Sequence, residues 1–114
     1  MSYPKTIAGL NNFFNSFYSR LKCLDLKRGC PIGNLILELS DENERFREHL
    51  LSWYHEVEKW IVEVLEINNI KNTVDKSKAL IAAFEGTMLL AKLDKDSNHF
   101  DIFNKYTFNS IINC

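Results

Sequence analysis

The sequence predicts an all-α fold, a five-helix bundle that pairs with a second copy of itself through its last two helices. Three observations predict it. Apolar residues recur at steps of 3 and 4 through most of the chain, and no stretch shows the strict alternation of a half-buried strand. Four Gly and two Pro in 114 residues are too few for a turn-rich all-β chain or a low-complexity one. The last two helical stretches are apolar on more than one face, which is more than one small bundle can cover. At 114 residues, 46% apolar and 25% charged, the chain is one domain, 1–114, able to bury a core without metal or disulfide staples.

The first helix is expected from about Pro4 to Leu24. Ile7, Leu10, Phe14, Phe17, Leu21 and Leu24 follow one another at steps of 3, 4, 3, 4 and 3, with Phe13 and Tyr18 widening the stripe. Pro4 suits a first helical turn, where its missing N–H has no partner to lose. A short second helix is expected after Pro31, where Leu35, Ile36, Leu37 and Leu39 leave almost no wet side. The third helix is expected from about Glu42 to Ile67. Asp41 and Glu44 form a capping-box pair, and Phe46, Leu50, Trp53, Val57, Trp60 and Val64 make the stripe, flanked by Ile61 and Leu65. Asn68, Asn69 and Asn72 mark a loop. The fourth helix starts near Asp75 as N-cap. Only Lys78, Glu85 and Lys92, seven apart, form a polar line along it. The fifth follows a loop ending at Ser97, with a stripe of Phe100, Phe103, Thr107 and Ile111 and with Ile102, Phe108 and Ile112 off it.

A net charge of −1 gives no global field to draw nucleic acid or an anionic membrane. Cys23, Cys30 and Cys114 cannot all pair within one chain and show no C-x-x-C spacing, so reduced thiols in the cytoplasm are expected. No apolar run is long enough to span a bilayer. His55-Glu56 opens a zinc-protease-like motif, but Lys59 stands where its second His belongs, so no metal or cofactor is expected. No nucleophile-and-base order points to catalysis.

The strongest binding feature is Trp53 and Trp60, seven apart on one stripe, with Glu56 on an adjoining flank. Two indoles and a carboxylate suit an aromatic or cationic small molecule. Each indole by itself reads first as core filling. Phe13, Phe17 and Phe84, from other helices, complete a pocket wall or belong to the same core.

Arg28-Gly-Cys-Pro-Ile-Gly-Asn-Leu-Ile-Leu-Glu-Leu39 resembles the R-G-C-x-x-G-N-x-x-x-E-L signature of one branch of the tetracycline-repressor (TetR) family. Ala82-Ala-Phe-Glu-Gly-Thr-Met-Leu-Leu-Ala91 is similar to the A-x-x-E-G-x-x-x-x-A helix of the family's dimer bundle. Both motifs lie in the C-terminal effector-binding domain, and the likeness extends from about Pro4 to Ile112. The resemblance implies a ligand-sensing and dimerisation domain of a transcriptional repressor, not an enzyme. It places the effector cavity between the first, third and fourth helices, where Phe13, Phe17, Trp53, Glu56, Trp60 and Phe84 are the expected contacts of an apolar or aromatic effector. The expected dimer contacts are Leu80, Ala83, Thr87, Leu90 and Ala91 from the fourth helix, with Phe103, Thr107 and Ile111 from the fifth. Met1-Ser-Tyr-Pro opens directly into this domain, so the chain is expected to lack the family's helix-turn-helix and to bind no DNA by itself. The alternative is a dimeric interaction protein that pairs with itself or with full-length relatives and senses no ligand. The discriminating observation is whether the DNA upstream of Met1 encodes an in-frame helix-turn-helix, which favours the sensor, or a genuine start site, which favours the interaction protein.

Overall fold

The computed structural model describes residues 3–23 and 44–114. Four helices make up this part, with no strand among the described residues: α1 (Ile7–Cys23), α2 (Glu44–Ile67), α3 (Thr73–Asp94) and α4 (residues 98–113). They correspond to the expected first, third, fourth and fifth helices. The expected second helix, the Arg28–Leu39 motif with Cys30, and the Asp41 cap lie outside the described residues.

α1 begins at Ile7, three residues after Pro4, because Thr6 caps it. The Thr6 Oγ1 accepts the Gly9 N–H at 2.9 Å. The incoming chain crosses this first turn so closely that a methyl group on Gly9 would overlap the Pro4 carbonyl oxygen. Tyr3 packs edge-on against Phe13, and Lys5 pairs with Glu63 of α2 at 3.0 Å, tying the entry segment down. From α1, Leu10, Phe13 and Phe14 are buried, with Ile7 and Phe17 packed beside them.

α2 follows its expected stripe: Val57, Trp60, Ile61, Val64 and Leu65 are buried and Trp53 lies half-buried against them. The asparagine cluster is the α2–α3 turn. Asn69 (φ 62°) and Asn72 (φ 56°) take the left-handed conformation that asparagine tolerates better than most residues. α3 therefore starts at Thr73 with Asn72 in the N-cap position, two residues before the expected start at Asp75. Asp75 falls in the first turn, where its charge suits the macrodipole.

α3 is the central helix, packed on both α2 and α4. Its inner face is Ser77, Leu80, Phe84, Met88 and Ala91. The Ser77 hydroxyl donates to the Glu58 carbonyl at 3.3 Å, and the buried Lys76 ammonium donates to the Cys114 carbonyl at 2.9 Å, fastening the start of α3 to the end of α4. α3 ends at Lys95, a left-handed residue (φ 57°) where glycine is the usual choice.

The α3–α4 corner is organised by aspartates. Asp94 accepts the Asp96 N–H at 3.1 Å and meets His99 Nε2 at 2.7 Å, and Asp96 accepts the Asn98 N–H at 2.9 Å. Ser97 occupies the N-cap position of α4 without a side-chain cap bond, so Asp96 supplies the acceptor expected of it.

α4 departs from the expected periodicity. It runs α-helical over Asn98–Ile102, π-helical over Phe103–Phe108 and α-helical again over Asn109–Asn113. The π turn holds one residue more than an α turn, so the buried face shifts across it. The core residues are Phe100, Phe103, Phe108 and Ile112, whereas Thr107 and Ile111 lie half-buried at the flank. The expected Phe100–Phe103–Thr107–Ile111 stripe is thus corrected after Phe103 by a turn that no α-periodicity anticipates.

Candidate functional site

The side chains of α1, α2 and α3 converge on a mostly apolar cavity. Phe13, Phe14 and Phe17 come from α1, Trp53, Tyr54 and Val57 from α2, and Ile81, Phe84, Glu85 and Met88 from α3. Helical spacing explains the set. Residues three and four apart share a face, so each helix contributes one short ladder. The rings interlock. Phe13 stands edge-on to Phe17 at 5.3 Å, Phe14 tilts over Phe84 at 4.8 Å, and Phe17 meets Phe84 at 6.0 Å. The cavity is small, about 30 Å³, and its mouth is open to solvent, whereas ordinary ligand pockets begin at roughly 300 Å³. An occupant of effector size must move these rings.

The expected pocket residues separate into three groups. Phe13, Phe17, Trp53 and Phe84 are brought together on the wall. Trp60 stands one layer behind it, 7% exposed and tilted against Phe13 at 5.2 Å, with an indole N–H that has no hydrogen-bond partner among the described residues. Glu56 is exposed on the far side of α2, in a surface groove with Glu48, Leu51, Ser52, His55 and Lys59. Glu56 is absent from the cavity wall, which α2 builds from Trp53, Tyr54 and Val57. The half-buried carboxylate on the wall is Glu85 instead.

Sequence reasoning passed over Phe14, Tyr54 and Glu85 as site residues. Phe14 stood in the core stripe, Tyr54 lay beside the more conspicuous Trp53, and Glu85 belonged to the polar line. No local signal marked the polar clamp at the rim. There, the Tyr54 hydroxyl donates to Glu58 at 3.1 Å and the Lys78 ammonium donates to the same carboxylate oxygen at 2.8 Å. Glu58 is buried enough (15% side-chain exposure) for these bonds to matter. The bond from Lys78, more than that from Tyr54, holds the Glu58 carboxyl below its ordinary range. Burial, and then the Glu58 bond, pushes the Tyr54 phenol up. The clamp joins α2 to α3 at a cavity residue, so it fixes the orientation of the Tyr54 ring.

The expected dimer residues also separate. Leu80, Ala91 and Phe103 are covered completely by their own chain, at 0%, 0% and 1% exposure, and have no surface left for a partner. Ala83, Thr87, Thr107 and Ile111 are half-buried, and Leu90 is exposed. The large open apolar residues on these helices are Val74, Leu89, Leu90 and Leu93 of α3 and Ile102 and Tyr106 of α4, between 44% and 78% exposed. Beside the leucines, Gly86 has open space where a side chain would stand. Along the expected polar line, Lys78 pairs with Glu58 of α2 and Glu85 borders the cavity.

The sequence profile of the family described as "Transcriptional regulator LmrA/YxaF-like, C-terminal domain" matches residues 6–106, nearly the whole span of the four helices. The chain belongs to this TetR-type family of transcriptional regulators. It is 33% identical over 95 residues to an uncharacterised HTH-type transcriptional regulator in the lacX 3' region of Lactococcus lactis subsp. lactis, covering 81% of this chain and 48% of that protein. It is 29% identical over 105 residues to the HTH-type transcriptional repressor DhaR of Mycobacterium sp. (strain GP1), covering 86% of this chain and 52% of the relative. The chain therefore spans about half the length of either regulator. No solved structure matches it. The matching family is one of transcriptional-regulator C-terminal domains and is not an enzyme class. Among the described residues, no helix is long and apolar enough to cross a membrane.

Proposed function

We propose that this TetR-type domain senses a small apolar or aromatic effector in the cavity between α1, α2 and α3, and that it dimerises through the outer faces of α3 and α4. The observation that carries the first part is the wall itself. Six aromatic side chains from three helices enclose one space, and large rings meeting from three directions are difficult to pack without a gap. The exposed leucines of α3, with Ile102 and Tyr106 of α4, support the second part, since such apolar surface on a small domain marks an interface. The relatives are named as HTH-type regulators. In such an arrangement the effector shifts the equilibrium between two domain states and so acts on a DNA-reading part.

The test is fluorescence. Trp53 and Trp60 are the only indoles, so N-phenyl-1-naphthylamine, an uncharged aromatic probe, should quench them on entering the cavity and brighten itself. Unchanged emission of both protein and probe would remove the sensing role. The small free volume favours one second reading, in which the domain only pairs with itself or with relatives and binds no ligand. Dimerisation without probe binding would select it.

A further inference from the structure

α4 carries two possible core stripes, and the structure uses the less regular one. With the π turn in place, Phe100, Phe103, Phe108 and Ile112 are buried. Were Phe103–Phe108 α-helical, the face continuing from Phe100 and Phe103 would instead present Thr107 and Ile111, because residues three and four apart share a face. The change turns everything beyond it by one residue, about 100°. Ile111 replaces Ile112 at no cost in volume. Thr107 replacing Phe108 does change the volume, since it removes a ring from the core.

That ring lies directly behind the cavity. Phe108 meets Phe14 at 6.3 Å and Phe103 at 6.2 Å, and Phe14 is itself a cavity wall, 4.8 Å from Phe84. Space vacated by Phe108 is space into which Phe14 can withdraw. The π form also holds a defect. The side-chain amide of Asn104, its second residue, donates to Asn15 of α1 at 3.0 Å, but its Oδ1 is buried without a hydrogen-bond partner among the described residues. An unpaired buried acceptor weakens the form that contains it.

We propose that α4 is a two-register relay: an effector entering the cavity displaces Phe14 and drives the π turn to α-helix, withdrawing Phe108 and rotating Tyr106 on the outer face. This inference rests on the effector reading of the cavity and adds how its occupancy is transmitted. Ile102 precedes the turn and keeps its place, whereas Tyr106 lies within it, so occupancy changes the shape of the outer face of α4. A packed element with two discrete arrangements is what such coupling requires.

The experiment is a titration with N-phenyl-1-naphthylamine of the wild type and of the double variant Phe108→Lys/Ile112→Lys, whose charges cannot stay in the core and so favour the α register that turns Thr107 and Ile111 inward. The double variant should bind the probe about fivefold more tightly or better, the low end of ordinary coupling. In the wild type, the probe should slow amide hydrogen exchange across residues 104–109. Equal affinity in both proteins, or wild-type exchange that the bound probe leaves unchanged, overturns the relay while the pocket stands. No probe binding to either protein overturns the pocket reading and the relay with it. If the double variant does not fold, wild-type exchange decides alone.

Discussion

Gly9 and Glu58 are the two residues whose roles are sharpest. Gly9 lies under the Pro4 carbonyl. Alanine is ordinarily the better helix residue by about 1 kcal/mol, so a helix-propensity argument alone makes Gly9→Ala stabilising. The overlap is with backbone held by the Lys5–Glu63 pair and the Tyr3–Phe13 contact, and relieving it means losing those contacts. Gly9→Ala should therefore lower stability by about 1 kcal/mol. Thermal unfolding measures it, and an increase in midpoint would refute the argument. Glu58 has a folded pKa below its ordinary 4.5, chiefly through the Lys78 bond. Its contribution is complete above that ordinary value and is lost as pH falls through the lower folded one. The Lys78 pKa, raised above 10.5 chiefly by the same bond, gives a share that is present below 10.5 and lost as pH rises beyond it. Denaturant unfolding from neutrality down to about pH 3 should show a steeper stability loss in the wild type than in Glu58→Gln. Identical slopes would mean the clamp contributes nothing.

At the scale of the elements, the end of α3 and its outer face invite separate tests. Lys95 pays the left-handed penalty at a C-cap, and Lys95→Gly should raise stability by about 1 kcal/mol. A denaturation midpoint that fails to rise would show that the Asp94–His99 corner already compensates. Leu89 and Leu93 share the exposed face of α3, at 52% and 78% exposure. Leu89→Glu/Leu93→Glu should leave the monomer folded by circular dichroism and reduce the sedimenting mass from twice 13.3 kDa to 13.3 kDa. An unpaired charge inside an apolar interface is costly, and the same charge in water is not. A variant that remains dimeric would move the interface elsewhere.

For the whole molecule, the two tryptophans distinguish core from pocket. Trp60 is buried behind Phe13, so Trp60→Ala should cost about 3–5 kcal/mol of stability. Trp53 is half-buried at the cavity, so Trp53→Ala should weaken probe binding and cost clearly less stability. Calorimetry and fluorescence titration of both variants measure the difference. Equal destabilisation, with no effect of Trp53→Ala on the probe, would make both indoles core. The sequence could not separate them, because seven residues is two turns and places both on one stripe. What differs is the depth of α1 over each, and that is a property of packing.

The sequence by itself determined the all-α class, the four described helices to within a few residues, the asparagine turn and nearly all of the core of α2. These depend on periodicity and capping chemistry, which are local. It determined the family through two short motifs. Only the tertiary structure decided that Glu56 faces outward while Glu85 borders the cavity, that Leu80, Ala91 and Phe103 belong to the chain's own core, and that Glu58 and Lys78 meet across 20 positions of sequence. α4 shows the physical reason most directly. Its residues support two stripes, one through Thr107 and Ile111 and one through Phe108 and Ile112, and Phe108 is buried through a π turn because Phe14 and Phe103 offer a ring more contact than Thr107 can make. That choice is made by neighbours far away in sequence, which no window along one helix contains.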